Sequence, residues 1–172
     1  MNLKSNVLLS YKSQVKTALE TSGSGFDTGF NVYNEDDLKN NVAPENPYVY
    51  VVSTHILPRE VTLPFIGVQM LNRKARPVEM GNKKGSSWQA LLHIYSKTRA
   101  QRNDIASYLS DPDIIDVVPI YNYTSGSPVL SEYAQVDHEQ TWQEETDPDA
   151  EDSLEGSWRY REIVSHTLLT NS

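Results

Sequence analysis

Between Trp88 and Leu109 the hydrophobic pattern changes period within one unbroken run, WQALLHIYSKTRAQRNDIASYL. Trp88, Ala90, Leu92 and Ile94 fall on one face of a two-residue repeat and Leu91 and Tyr95 on the other, which predicts a strand over Trp88–Tyr95. Ile105, Tyr108 and Leu109 then form the apolar stripe of a helix. Thr98 is placed to cap that helix, Gln101 completes a capping-box pattern, and Asp111-Pro112 stops it.

The same reading places a helix over residues 3–20, with Leu8, Tyr11, Val15, Ala18 and Leu19 inward and Lys4, Lys12, Lys16 and Glu20 toward water. TSGSG at 21–25 ends it, and residues 21–47 read as a polar loop with one short helical turn at Asp36–Asn40. YVYVVST at Tyr48–Thr54 predicts a strand covered on both faces. In Arg59–Leu71, Val61, Leu63 and Phe65 share one face before Ile66, Val68 and Met70 take the other. That change predicts a bend, and Pro64 predicts an edge position. A basic excursion follows at Asn72–Ser87, with a hairpin tip around Gly81–Gly85. IIDVVPIYNY at 114–123 and WRYREIVSHTLL at Trp158–Leu169 are further strands. Residues 125–157 read as an acidic arm or insertion. The layout predicts an α+β fold in one domain, residues 1–172: a single mixed or antiparallel sheet with helices packed on one face, plus the long acidic arm.

Composition sharpens this in two places. The chain has no cysteine, which excludes disulfides and thiolate chemistry, and no apolar run long enough to span a bilayer. The start of the chain lacks the apolar core of a signal peptide, so a soluble intracellular protein with no membrane contact is expected. The net charge of −8 is segregated. Arg73, Lys74, Arg76, Lys83, Lys84, Lys97, Arg99 and Arg102 cluster against one acid, Glu79, whereas ten acids and no Lys or Arg lie between Glu132 and Glu155. This is either a solvated basic face with a solubilising acidic loop, or a pair of opposite patches suited to head-to-tail association. The candidate interface residues on the second reading are Arg73, Lys74, Arg76, Lys83, Lys84, Arg99, Arg102, Glu144, Glu145, Asp147, Asp149, Glu151 and Asp152.

Candidate chemistry is sparse. SGSG at Ser22–Gly25 follows a helix and lacks the spacing of a phosphate loop. DPDAEDSLEGSW at 147–158 resembles a calcium loop only at its first acids; its sixth and twelfth positions are Asp152 and Trp158 where glycine and glutamate are needed. His55, His93, His138 and His166 have no metal-ligand spacing, and Pro112-Asp113 is followed by no acid-x-Lys pair. No catalytic residue, metal or cofactor is expected. An overall acidic chain argues against a nucleic-acid-binding domain, although basic residues lining a ring could touch DNA phosphates without sequence preference.

The strand–helix unit LLHIYSKTRAQRNDIASYL, Leu91–Leu109, resembles one that recurs in the neck and tail-completion proteins of tailed bacteriophages. A preceding strand pair and a C-terminal strand such as WRYREIVSHTLL are similar too, so the resemblance spans about residues 45–123 and 158–169. The long acidic segment departs from it. The resemblance implies a structural virion protein and no enzyme: a homohexameric ring at the head–tail interface, assembled in the host cytoplasm. It would terminate the tail tube and join it to the head connector. Its partners would be further copies of the chain, the tail tube protein and the connector proteins, with DNA passing through the lumen. Other readings are a head-side adaptor, a baseplate part, or a small soluble enzyme or ligand-binding domain.

Overall fold

The computed structural model describes residues 3–21, 29–53, 63–71, 73–77, 84–96, 98–124, 126–145 and 161–171. They form an α+β fold on one mixed sheet. In chain order the elements are α1 (Leu3–Glu20), β1 (Asn31–Tyr33), α2 (Glu35–Lys39), β2 (Tyr48–Val52), β3 (Phe65–Met70), β4 (Lys74–Pro77), β5 (Lys84–Tyr95), α3 (Arg99–Ser110), β6 (Val117–Asn122), β7 (Val129–Glu145) and β8 (Arg161–Thr170). The strands run in the order β1-β2-β3-β5-β8-β7-β6, and β4 continues the line of β3 along β5. β1, β2 and β3 are mutually parallel; every other pairing is antiparallel.

Alternation assigns the faces. Val51, Ile66, Ile94 and Glu162 sit side by side across four strands, as do Met70, Ala90 and His166 across three. These positions, with Val118, Ile120, Ala134 and Val136, face α1 and α3 and form the main core. α1 contributes Val7, Tyr11, Val15, Ala18 and Leu19, a clean helical stripe, and α3 contributes Ile105, Ala106, Tyr108 and Leu109. The two helices meet where the Tyr108 hydroxyl donates to the Ala18 carbonyl at 2.8 Å, satisfying one of the orphan carbonyls at the end of α1. Phe30 N–H takes the Leu19 carbonyl at 2.8 Å. That return requires glycine at 29, because a Cβ there would lie 2.1 Å from the Glu20 carbonyl oxygen.

α1 also closes a sheet edge. β6 is the last strand, and its Tyr121 and Tyr123 N–H groups donate to Ser10 Oγ (2.9 Å) and Asn6 Oδ1 (3.4 Å) of the helix. Edge amides that would otherwise invite another strand are thereby used up.

Four expectations change. Residues 129–145, expected within an acidic arm, form β7, second from the sheet edge; Ala134 and Val136 point inward while Glu139 and Glu144 are exposed, so one wet face suffices. The remainder of that arm, 146–157, lies outside the described residues. The 21–47 loop contains an unexpected strand, β1, while the expected helical turn is present as α2, capped by the Asn34 side chain with Asp37 reaching back. Pro64 precedes β3, an interior strand, and its carbonyl accepts from Tyr50 N–H at 3.1 Å. The two long helices share one face, but Leu38 of α2 packs against the other, on Tyr50, Val52, Phe65 and Tyr95. The hairpin tip between β4 and β5 lies outside the described residues.

Candidate functional site

The sheet face away from α1 and α3 divides into a covered half and an open half. In the covered half Tyr33, Tyr50, Phe65 and Tyr95 stand side by side across β1, β2, β3 and β5. Their rings meet edge to face or tilted, at 5.6 Å for Tyr33–Tyr50 and 6.2 Å for Phe65–Tyr95. The Tyr48 hydroxyl donates to the Leu63 carbonyl at 3.0 Å, and α2 lies over the cluster. Burial, reinforced by the neighbouring Tyr48, Tyr33 and Asp37, pushes Tyr50 above the usual phenol range. Glu35 ties α2 to α1 through Lys12 and accepts from Ser53 N–H. Burial pushes its carboxyl up, but Lys12 and the backbone donors outweigh that and hold it low.

Beyond Tyr95 the face opens. Lys74, Ser87, Leu169, Gln135 and Val117 form one row across β4, β5, β8, β7 and β6, and Gln89, Thr167 and Asp137 form the next. On the β6–β7 hairpin Pro119 pairs with Tyr133, and Leu130 with Tyr121. Tyr133 is 59% exposed, Leu130 43% and Val117 40%, so large apolar side chains here meet water while Val118, Ile120 and Ala134 on the reverse are buried. An exposed aromatic and aliphatic cluster of this kind on a sheet flank is the composition of an association surface.

The charged candidates do not form one patch. Arg73 and Lys74 are exposed at β4, but the Arg73 guanidinium donates to Ser86 Oγ and lies 5.9 Å from the Trp88 ring. In the same β4–β5 pair Arg76 is opposite Gly85 and Lys84 opposite Pro77, and Arg99 is exposed on the first turn of α3, on the helical side of the sheet. Arg102 is no surface residue. It is fully buried under α3, 3.3 Å from Glu162, with Asn103 Oδ1 at 3.1 Å. Glu162 in turn accepts from Gln143, and Gln143 from Ser110, so the chain of contacts binds α3 to β8 and β7. Its position three residues before Ile105 put Arg102 on the buried stripe, a signal its charge obscured. Glu144 is exposed on β7, and Glu145 ends that strand opposite Glu162. Lys83, Asp147, Asp149, Glu151 and Asp152 lie outside the described residues. Lys74 and Asp137 thus sit on the same face, three strands apart, about 14 Å at about 4.8 Å per strand.

The three described histidines each have a side-chain partner within the fold. His166 is buried, and its Nδ1 lies 2.7 Å from the Tyr11 hydroxyl. Burial lowers it to about 4, helped by His138 and opposed by a hydrogen bond to the Leu109 backbone. Nδ1 and the Tyr11 hydroxyl share this hydrogen bond, and burial pushes the Tyr11 phenol far up. His93 bonds Gln69 at 3.0 Å and His138 bonds Asp116 at 3.1 Å; His55 lies outside the described residues. Among the described residues no group of three His, Asp or Glu could hold a metal, and no helix is long and apolar enough to cross a membrane. No protein-family model matches the chain, and no curated protein matches it in sequence.

Proposed function

We propose that the chain is a self-associating structural subunit of a tailed-bacteriophage virion, forming the ring that ends the tail tube and meets the head connector. The observation that carries self-association is the exposed apolar flank at Val117, Leu130 and Tyr133. Its strand edge is closed by α1, so a neighbour would dock side chain to side chain on the face and not by extending the sheet. Exposed Lys74 at one side of the same face and Glu144 and Asp137 toward the other give a protomer unlike ends, which favours heterologous contacts that close into rings. The virion assignment rests on the resemblance of β5 and α3 to the strand–helix unit of neck and tail-completion proteins.

Native mass spectrometry with negative-stain imaging tests this. Rings of roughly six subunits are expected. Tyr133→Asp with Val117→Asp should return the chain to a monomer, and charge reversal at Arg73, Lys74 and Arg76 should weaken assembly while the circular dichroism spectrum stays unchanged. A chain that remains monomeric alone and also fails to cap purified tail tubes sinks the proposal. Assembly that survives the charge reversal removes the basic patch from it.

A further inference from the structure

Beside the apolar flank, the open face holds a cavity of about 380 Å³ whose lining is about half polar and half apolar. Small-ligand sites fall in the range of roughly 300–1,000 Å³. Its walls are Lys74, Ser87, Trp88 and Gln89 from β4 and β5, Thr167 from β8, and Gln140 and Trp142 from β7. We infer that this cavity is a carbohydrate-binding site, which takes a neutral sugar ring against Trp142 and its hydroxyls on Gln89, Gln140 and Thr167.

The site is built by a break in strand register. Asp137 pairs with Thr167 and Trp142 with Ser165, so β7 takes five steps where β8 takes two, and the chain between arches off the sheet. Asp137 holds that arch. Its carboxylate accepts from Glu139 N–H (3.2 Å) and from Gln140 Nε2 (2.6 Å), and its carbonyl accepts from Thr141 Oγ1 (3.3 Å). A side chain fixed in this way before binding loses little freedom when a ligand arrives. Gln89 is fixed similarly, donating to Ser165 Oγ at 3.1 Å. Each amide therefore has one end anchored and presents the other.

The chemistry selects among ligand classes. A primary amide offers a donor and an acceptor, as does each sugar hydroxyl, and Ser87 and Thr167 add hydroxyls of the same dual kind. Trp142 is 40% exposed and supplies a flat apolar surface for the C–H face of a pyranose. A hydrocarbon or apolar peptide would leave the amides without partners, at about 1–3 kcal/mol each. The walls offer a polyanion a single cation, Lys74, and the Asp137 carboxylate is bound to Gln140 beside it. A neutral polyhydroxylated ring satisfies every wall.

The test uses the full chain on a glycan array, followed by calorimetric titration with the best-retained glycan. Maltotriose, triacetylchitotriose and a thymidine oligonucleotide are titrated in parallel. Retention of at least one neutral glycan is expected, with a loss of about tenfold or more in Trp142→Ala and in Gln140→Ala. Trp142→Phe, which keeps a stacking surface, should bind within a few-fold of wild type, with circular dichroism confirming each fold. No glycan retained, equal binding by Trp142→Ala, or uptake of the oligonucleotide in place of sugars each overturns the inference. The titrations are repeated on the Tyr133→Asp, Val117→Asp chain, which separates loss of the sugar site from coverage of the open face in a ring, because Lys74 belongs to both.

Discussion

The two faces of this sheet are built from the same strands yet follow opposite rules. On the helix-covered face buried polar side chains pair within the fold: Arg102 with Glu162, Tyr11 with His166, Tyr108 with the end of α1. On the open face the amides of Gln89 and Gln140 are half engaged, and Tyr133, Leu130 and Trp142 lie in water. The larger core cluster lies on the first face, and the proposed subunit interface and sugar site both lie on the second. A charge on a strand therefore says little until its face is known: Glu162 and Glu144 both belong to the β7–β8 ladder, and one is a core residue while the other is solvated.

The largest effect that could break this contrast is at Arg102. Arg102→Ala leaves Glu162 buried without its guanidinium, and truncating one partner of a buried pair costs about 3–5 kcal/mol. Arg102→Met with Glu162→Leu removes both charges and should recover most of that loss. Urea unfolding of the three chains decides it. If Arg102→Ala matches wild type, Arg102 is not the structural anchor of α3.

His166 gives a pH-dependent effect of similar size. Its folded value of about 4 lies below the ordinary 6.5, so the unfolded chain binds the extra proton between those values. The stabilisation is complete above pH 6.5, falls as pH drops through the window, and is gone below about 4. The shift corresponds to about 3 kcal/mol. His166→Gln should flatten the wild-type stability profile across that window. Parallel loss of stability in both proteins would show that other groups carry the acid sensitivity.

The contrast also explains what could be read from the sequence. Periodicity located α1, β2, β5, α3, β6 and β8, because runs of apolar residues keep their phase, as Tyr11, Val15, Ala18 and Leu19 do, although Val7 takes the fully buried place expected for Leu8. Thr98 was legible as the cap of α3 and does accept from Gln101 N–H, but Gln101 turns its side chain to Ser96 instead of back to Thr98. β7 was hidden because a strand with one wet face needs few apolar residues, and its Ala134 and Val136 are diluted by acids. The cavity around Trp142 was hidden for a different reason. Its walls are contributed by four strands distant in sequence, and the bulge that aims Gln140 and Trp142 depends on pairing with β8.

The smallest stability effect is the one that separates the faces most sharply. Tyr133→Ser removes an aromatic side chain that is 59% exposed and packs over Pro119 on the open face. Substitutions at such a position ordinarily change folding stability by less than about 0.5 kcal/mol. If the open face is where subunits meet, the same substitution should still lower the native mass, because aromatic anchors at the centre of an interface carry much of its energy. Urea unfolding and native mass, measured on one sample, therefore give a paired readout. Unchanged stability with lost assembly places Tyr133 in an interface. A drop in stability of the size expected for Arg102→Ala would instead show that Tyr133 belongs to the protomer's own packing, and the division of labour between the faces would have to be redrawn.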